Sequence, residues 1–588
     1  AFRAALIERL RQRIAEVEHV AGEGVSLHLT GVAVQKHDVS YYVSRDQAVL
    51  MPLAVLTLAG MLAIFFRAWI GVALPLAVTG ISVATTLGCY HLAGLRLNAI
   101  TALLPPVIMV LSVAVSVHLV QRWRQLVGEL EPERRIRRTV SELFFPCFFC
   151  SLTTALGFVS LAVAELPAVR QFGIFAAVGV LVSFLAGMTL VPAALSFLSP
   201  PSQLPRSATH RWLRALLEAA AETATRYPIA IVAIFLAITA IAAAGVPLIR
   251  NNTDLIRFLK PDAPLFRDTM FIDAHLTGAN AIELMIRRAD GMPFGSLEDI
   301  TRLERYESSL RQEPQITTVI SILSVLRQLA RAERGDDALR LPDNERDLGY
   351  LFDLLAGAEQ PLVNKLLSDD HRTLRMSLRV RAVGTAVTAP LAEEIQQRGQ
   401  VILGPEYRVT PTGAFYYIAR DSNRLVRDQV SSFGLSLIAV FCAVGLLLRS
   451  IKPTLVSLVP NVMPIVWTGG LMGFLDIDLS TGTAMIASAV IGLVVDDTIH
   501  YLAGYYRSYD GDAAAAVHET TTGIGAALVM NNLVLVFGFW VGAFGSFLPT
   551  IYFSLLSGLT MITAMVCDLF VTPACLVLLD RRRREVTA

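Results

Sequence analysis

Eleven stretches of the chain stay apolar long enough to cross a bilayer. They lie at about 48–66, 69–92, 98–120, 142–164, 170–198, 227–248, 430–448, 453–475, 480–506, 520–543 and 549–579. A helix needs roughly 20 mainly apolar residues to span about 30 Å of hydrocarbon. Runs this long and uniform predict helices, which satisfy their own backbone groups in lipid, and not the short alternating strands of a barrel. Between the sixth and seventh runs the pattern turns polar, over residues 249–429. There, residues 281–287 and 373–380 alternate like strands, and residues 296–312 and 389–398 have helical spacing. Mixed strands and helices in one polar insertion predict an α+β domain outside the membrane. Residues 2–17 read as an Arg-rich helix and 28–34 as a strand, so 1–46 look like the tail of a second such domain.

Composition agrees with a polytopic membrane protein. Of 588 residues, 54% are hydrophobic and 17% charged, against about 25% charge in soluble chains. Net charge is +1, so no overall basic field points to nucleic acid. So apolar a chain excludes intrinsic disorder. All six cysteines lie in apolar runs, which leaves no disulfide framework for the polar insertion. Cys147 and Cys150 form a CxxC, but no second ligand pair or histidine cluster accompanies them in sequence. They read as small buried residues, and no metal site is expected.

Arginine and lysine set the orientation. Arg122, Arg124, Arg134, Arg135, Arg137 and Arg138 follow the third run, and Arg206, Arg211, Arg214 and Arg226 follow the fifth. Arg449 and Lys452 separate the seventh and eighth, and Arg581 to Arg584 follow the last. All fall on one side, which the positive-inside rule makes cytoplasmic. The insertion 249–429 then lies on the opposite side.

Two halves of the chain superpose in sequence. A shift of 382 carries Thr30-Gly31 onto Thr412-Gly413, Arg67 onto Arg449, Leu97 onto Leu479 and His118 onto His500. A shift of 381 carries Gly157-Phe158 onto Gly538-Phe539 and Pro192 onto Pro573. The segments are then 1–46, the end of a first soluble domain; 47–199, five spans; 200–226, an amphipathic cytoplasmic linker; 227–248, a span opening the second repeat; 249–429, the second soluble domain; 430–579, five more spans; and 580–588, a basic tail. By symmetry, a first span and most of a first soluble domain are expected to precede Ala1. Parallel repeats of this kind are a transporter architecture, with the working site near mid-membrane between them.

Charge inside the spans is sparse, and its densest point is the run from Ile491 to Tyr501. Asp496, Asp497 and His500 sit there within an apolar helix, where each charged residue costs about 3 kcal/mol on insertion scales. His500 is one turn from both acids. Adjacent carboxylates repel when both ionise, so one is expected to hold a proton. Asn531 and Asn532 on the next span are candidate partners, since amides bond either form of a carboxyl. Asp568, a third membrane acid, is a further candidate that could equally reach the interface. In the first half Ala114 and Val115 replace the acids, so His118 reads as a packed histidine. Gly469 and Gly473 read as a close-packing pair.

The run Gly492-Leu493-Val494-Val495-Asp496-Asp497-Thr498-Ile499-His500 resembles the RND superfamily of proton-driven exporters, in its MMPL-type branch. Asn252-Thr253-Asp254-Leu255 with Leu259-Lys260-Pro261-Asp262-Ala263-Pro264 resembles the opening of that family's second porter domain, and Asp568 with Pro573 its last span. The resemblance implies ferredoxin-like periplasmic porter domains, protons carried by Asp496 and Asp497, and substrate taken from the outer leaflet or periplasm of a bacterial inner membrane. The acid-free first half departs from any scheme needing a relay acid in both repeats. A small porter domain does not suggest docking to an outer-membrane channel.

The expected function is export of hydrophobic lipids such as hopanoids or sterols, driven by the proton gradient with no bound cofactor. A periplasmic lipid carrier and a homo-oligomer are candidate partners. Efflux of small amphiphilic toxins and a non-transporting sterol-sensing role are the alternatives. No phosphate-binding glycine loop, GxSxG or HExxH is present, so an enzyme is not expected.

Overall fold

The computed structural model describes residues 2–22, 24–127, 130–197, 208–252, 256–334, 340–357, 363–381 and 384–587. Two compact units divide the chain: Ala1–Val39 with Asn251–Arg424, and Ser40–Arg250 with Leu425–Ala588.

The first helices are α1 (Phe2–Ala21), α2 (Val32–Phe66), α3 (Ile70–Leu92), α4 (Leu104–Gln125), α5 (Pro132–Val159), α6 (Pro167–Ser196), α7 (Ala208–Arg226) and α8 (Pro228–Gly245). Then come α9 (Pro264–His275), β1 (Asn280–Arg288), α10 (Leu297–Arg311), β2 (Ile316–Ile320), α11 (Ile322–Arg334), α12 (Glu345–Gly357), α13 (Val363–Leu366), β3 (Thr373–Val380), α14 (Thr385–Leu403) and β4 (Tyr407–Thr412). Five long helices close the chain: α15 (Ala414–Leu448), α16 (Ile451–Phe474), α17 (Thr481–Ser508), α18 (Ala513–Trp540) and α19 (Leu548–Thr587).

Among the described residues, eleven helical segments are long and apolar enough to cross a membrane, matching the eleven apolar runs. Several helices outlast their runs: α2 starts at Val32 and α5 at Pro132. Hydropathy marks the part of a helix suited to lipid, whereas charged helix formers such as Glu and Arg carry it past that depth. The basic tail is likewise helical, as the last turns of α19. Of the expected linker 200–226, residues 200–207 lie outside the described residues. The rest is α7, whose buried Leu217 meets Gly525 of α18.

In the unit built from Asn251–Arg424, the four strands form one antiparallel sheet in the order β2-β3-β1-β4. With α10 after β1 and α14 after β3, this is a split β-α-β, ferredoxin-like succession, interrupted by α11 to α13 between β2 and β3. Alternation puts Ile282, Leu284 and Ile286 of β1 wholly inside. These pack with Leu303, Tyr306 and Leu310 of α10 and Ile395 of α14. Of the resembling segment 252–255, residues 253–255 lie outside the described residues.

The strand expected at 28–34 does not form. Residues 25–30 carry no strand or helix, and α2 has begun by Val32. Their polar groups are taken by α9 instead of a neighbouring strand. Asp268 accepts from Leu29 N at 3.3 Å and lies 2.9 Å from His28 Nδ1, while the Thr30 and Thr269 hydroxyls meet at 2.6 Å.

The repeat extends to backbone detail. α1, the segment 25–30, Gly31 and α2 fall 382 residues before α14, β4, Gly413 and α15, and both glycines have positive φ (122° and 102°). Arg67 and Arg449, which end α2 and α15, share a left-handed φ of 49° and 47°, each donating its amide to the carbonyl four residues back at 2.9 Å. An Arg-Asp-Gln triplet recurs at 45–47 and 427–429. Asp46 Oδ2 accepts from Ser546 N (2.7 Å) and Phe547 N (3.0 Å), at the entrance to α19. Asp428 Oδ2 accepts from Glu165 N (2.8 Å), at the equivalent place before α6. Each aspartate therefore reaches across to the other repeat. The adjacent glutamines hold their own repeat: Gln47 donates to Ala102 O at 2.7 Å and Gln429 to Ser488 Oγ at 3.2 Å.

Candidate functional site

α17 starts at a capping box in which Ser480 Oγ accepts from Thr483 N and Ser480 N donates to Thr483 Oγ1. From there it runs through the centre of its unit. It and its repeat mate α4 are the most enclosed spans, with 89% of the residues in an 18-residue apolar stretch of each buried. Small residues allow this. A methyl on Gly492 would lie 2.5 Å from Thr154 Cα and 2.9 Å from Thr153 O on α5. Only a glycine lets the two backbones come so close, and Thr154 Oγ1 donates to Gly492 O at 3.0 Å. Close approach of α16 to α8 uses Gly470 and Gly473, which face Ala242 and Gly245. Of the expected pair, Gly469 makes only an ordinary contact with Val246.

The α5–α17 contact sets the first half of the site. One turn beyond Gly492, Asp496 lies with its Oδ1 3.7 Å from His500 Nε2. Cys150 of α5 directs its Sγ to Asp496 O at 3.5 Å. His118 of α4 stacks on His500, with ring centroids 4.1 Å apart and planes 14° from parallel. Both imidazoles are 5% exposed. A cavity of about 30 Å³ opens beside them, bounded by His118, Cys147, Cys150, Ser183, Asp496 and His500 among others.

Asp497 points elsewhere. The side chains of successive helical residues are about 100° apart, so the two acids face different neighbours. Asp497 Oδ2 accepts from Asn532 Nδ2 of α18, which also donates to Leu528 O at 3.0 Å. The next residue, Thr498, brings in the third acid. Its hydroxyl lies 2.6 Å from Asp568 Oδ1 on α19 and 3.0 Å from Asn461 Oδ1 on α16. Thr572 donates to the same Asp568 oxygen at 3.0 Å.

Several polar atoms here have no hydrogen-bond partner among the described residues: Asp497 Oδ1, Asp568 Oδ2, Asn532 Oδ1 and His118 Nε2. An uncompensated buried polar group costs about 1–3 kcal/mol, and charged ones cost more. A carboxylate at this depth is tolerable only when a proton, a donor or a cation answers its charge. The arrangement is thus two groups of polar side chains within the spans. One joins Asp496 to the stacked histidines, and the other joins Asp497 to Asn532, with Asp568 next to it through Thr498.

The structure brings five of the six expected residues together. Asp568, which could have reached the interface, is 2% exposed and belongs to the cluster. Asn531 does not join: neither side-chain polar atom has a hydrogen-bond partner among the described residues, because its neighbour Asn532 presents the face toward α17. His118, expected as a packed histidine, is one: it is buried, stacks on His500, and its Nε2 has no hydrogen-bond partner among the described residues. Its signal was its repeat alignment with His500. Cys150, Asn461 and Thr572 were not singled out for the site. Nothing in linear spacing joins Cys150 to residues some 346 positions away.

Residues 3–243 match the sequence model of the MMPL family. The chain is also 22% identical over 356 residues to "Putative membrane protein MJ1562" of Methanocaldococcus jannaschii, covering 56% of this chain and 84% of that one. The family match falls on the first repeat, whereas the acids lie in the second, which the internal symmetry relates to it. This is a multi-pass helical membrane protein that resembles RND/MMPL-type transporters, with the MMPL match spanning residues 3–243.

Proposed function

We propose that the protein is a proton-driven exporter of hydrophobic lipids, of the hopanoid or sterol kind. It works from a bacterial inner membrane with the Asn251–Arg424 unit in the periplasm. The observation that carries this reading is a cluster of two buried acids (Asp497 and Asp568), the partly buried Asp496 and two stacked histidines, built from both repeats. Asp496, Asp497, His500, Asn532 and Asp568 come from the second repeat, and His118 and Cys150 from the first. One proton crossing the membrane releases about 2.3 kcal/mol per 100 mV, and a titratable group at membrane depth is needed to capture it. Loss or gain of charge between two repeats changes what each helix can pack against, which is a differential interaction able to shift one arrangement to another. The proton gradient then serves in place of a nucleotide or other cofactor.

The lipid assignment draws support from an apolar cavity of about 40 Å³ between α2 and α4 of one repeat and α18 and α19 of the other. Leu50, Ala54, Val107, Val110, Phe539 and Phe553 line it, with Asp46 and Gln47 at its polar edge. A space this small takes a chain end or ring edge, so a whole lipid requires the repeats to part. A cleft lies on the Asn251–Arg424 unit. It is open and polar, formed by Leu297, Glu298, Thr301, Arg302 and Arg305. That cleft favours the second reading, efflux of small amphiphiles. A soluble lipid carrier receiving the product follows from the lipid reading. The test uses proteoliposomes containing a fluorescent sterol, with transfer to acceptor vesicles followed in the presence and absence of a pH gradient. Gradient-stimulated sterol transfer supports the proposal. Gradient-stimulated transport of a cationic amphiphile without sterol transfer supports the second reading, and gradient-independent rates for both overturn proton coupling.

A further inference from the structure

The geometry points to a binding site for a thiophilic divalent cation of the zinc class, formed by Cys150, Asp496 and His500. One ligand atom from each residue lies within 4.8 Å of the others, and the His500 Nε2 to Asp496 Oδ1 separation is 3.7 Å. Zinc takes sulfur at about 2.3 Å and imidazole or carboxylate at about 2.0–2.2 Å. Ligands sharing one tetrahedral ion are therefore roughly 3.5 Å apart. The three groups need side-chain adjustments of about 1 Å to reach that spacing, well within rotamer freedom. Backbone position is already set by the Gly492–Thr154 contact.

Two further observations point to a ligand. His118 Nε2 and Ser183 Oγ are buried without a hydrogen-bond partner among the described residues, and both residues line the cavity that Cys150, Asp496 and His500 bound. Its volume of about 30 Å³ admits a water beside an ion. His118 does not share the ion in its present orientation. Parallel stacked imidazoles direct their in-plane lone pairs side by side, so the metal would have three protein ligands and an open position toward the cavity. Charge balance favours occupancy at this depth. A divalent ion with one thiolate and one carboxylate is neutral, and binding releases the Cys150 thiol proton together with any proton on Asp496. Such a cation would occupy Asp496 and His500 in place of a proton. That consequence rests on the relay reading above, whereas metal binding itself does not.

The test is titration of the purified full chain with Co²⁺. We expect one equivalent to give a thiolate-to-cobalt absorption band that Zn²⁺ abolishes. Cys147→Ser should retain the band and Cys150→Ser should lose it. On wild-type protein, which avoids any folding defect of a variant, Zn²⁺ should protect Cys150 from alkylation as read by peptide mass spectrometry. A band that survives in folded Cys150→Ser, no band in wild type, or alkylation of Cys150 indifferent to Zn²⁺ overturns the site. Zn²⁺ inhibition of transport that Cys150→Ser relieves would support both the site and the relay. Zn²⁺ binding without inhibition would leave the site standing and count against the relay through Asp496.

Discussion

Replacing Gly492 with alanine tests whether close helix approach assembles the site. The added methyl would lie 2.5 Å from Thr154 Cα and 2.9 Å from Thr153 O, against an ordinary contact of 3.4 Å or more. Both obstacles are backbone atoms, so no side chain can swing away, and α5 and α17 must separate by about 1 Å. Overpacking of this kind typically costs about 1–3 kcal/mol. The separation also lengthens two contacts on the same seam, Thr154 Oγ1 to Gly492 O at 3.0 Å and Cys150 Sγ to Asp496 O at 3.5 Å. Thermal unfolding in detergent should show a lowered midpoint, and Cys150 should react faster with a maleimide than in wild type. Gly469→Ala, whose nearest neighbour is the Val246 methyl at 3.5 Å, is the control and should change neither. Wild-type stability and wild-type Cys150 reactivity in Gly492→Ala would refute the packing argument.

Asp46→Ala removes the acceptor of two backbone amides and should destabilise by about 2–4 kcal/mol; Asp428→Ala, with one such bond, should cost less. Chemical denaturation compares them, and a larger loss in Asp428→Ala would contradict the assignment. The Asn251–Arg424 unit should lose stability in acid. Burial pushes the Glu307 carboxyl up, but hydrogen bonds from Arg311, Ser321 and Arg327 outweigh it and hold it below its ordinary value of 4.5. Burial of Asp299 is likewise outweighed by Tyr407 and Ser296, holding it below 3.8. A depressed carboxyl contributes stability above its unfolded value and loses it as pH falls, so the unit should weaken below about pH 4.5, as circular dichroism against pH would show. A cysteine placed at Ser308 should be labelled by an impermeant reagent in intact cells, as expected if the arginine bias sets topology.

The sequence made the spans legible because lipid imposes a length and an apolarity that few other structures need. It made the strands β1 and β3 legible through two-residue alternation. Residues 28–34 read as a strand too, yet they form none, because a strand also requires a partner edge that local pattern cannot supply. Asp496, Asp497 and His500 stood out because charge is costly at membrane depth. Their separation into two facing directions did not, since it depends on which helices pack against α17. Cys150 and His118 became visible only through tertiary contact, although the repeat had already aligned His118 with His500. The Arg-Asp-Gln triplets were present in both halves, but their reciprocal reach between repeats is a property of packing.

The most direct test of the central claim is the response of Asp497→Asn to a proton gradient. Asn keeps the size of the side chain, and its amide cannot carry a proton through the cycle. Wild type and Asp497→Asn, reconstituted in equal amounts and shown to unfold at similar temperatures, are compared for sterol transfer under an imposed pH gradient, with and without an uncoupler. The account predicts that wild-type transfer rises with the gradient and falls when the uncoupler is added. Asp497→Asn should stay at the uncoupled rate throughout. A wild-type rate in Asp497→Asn, with the same sensitivity to the uncoupler, would contradict it.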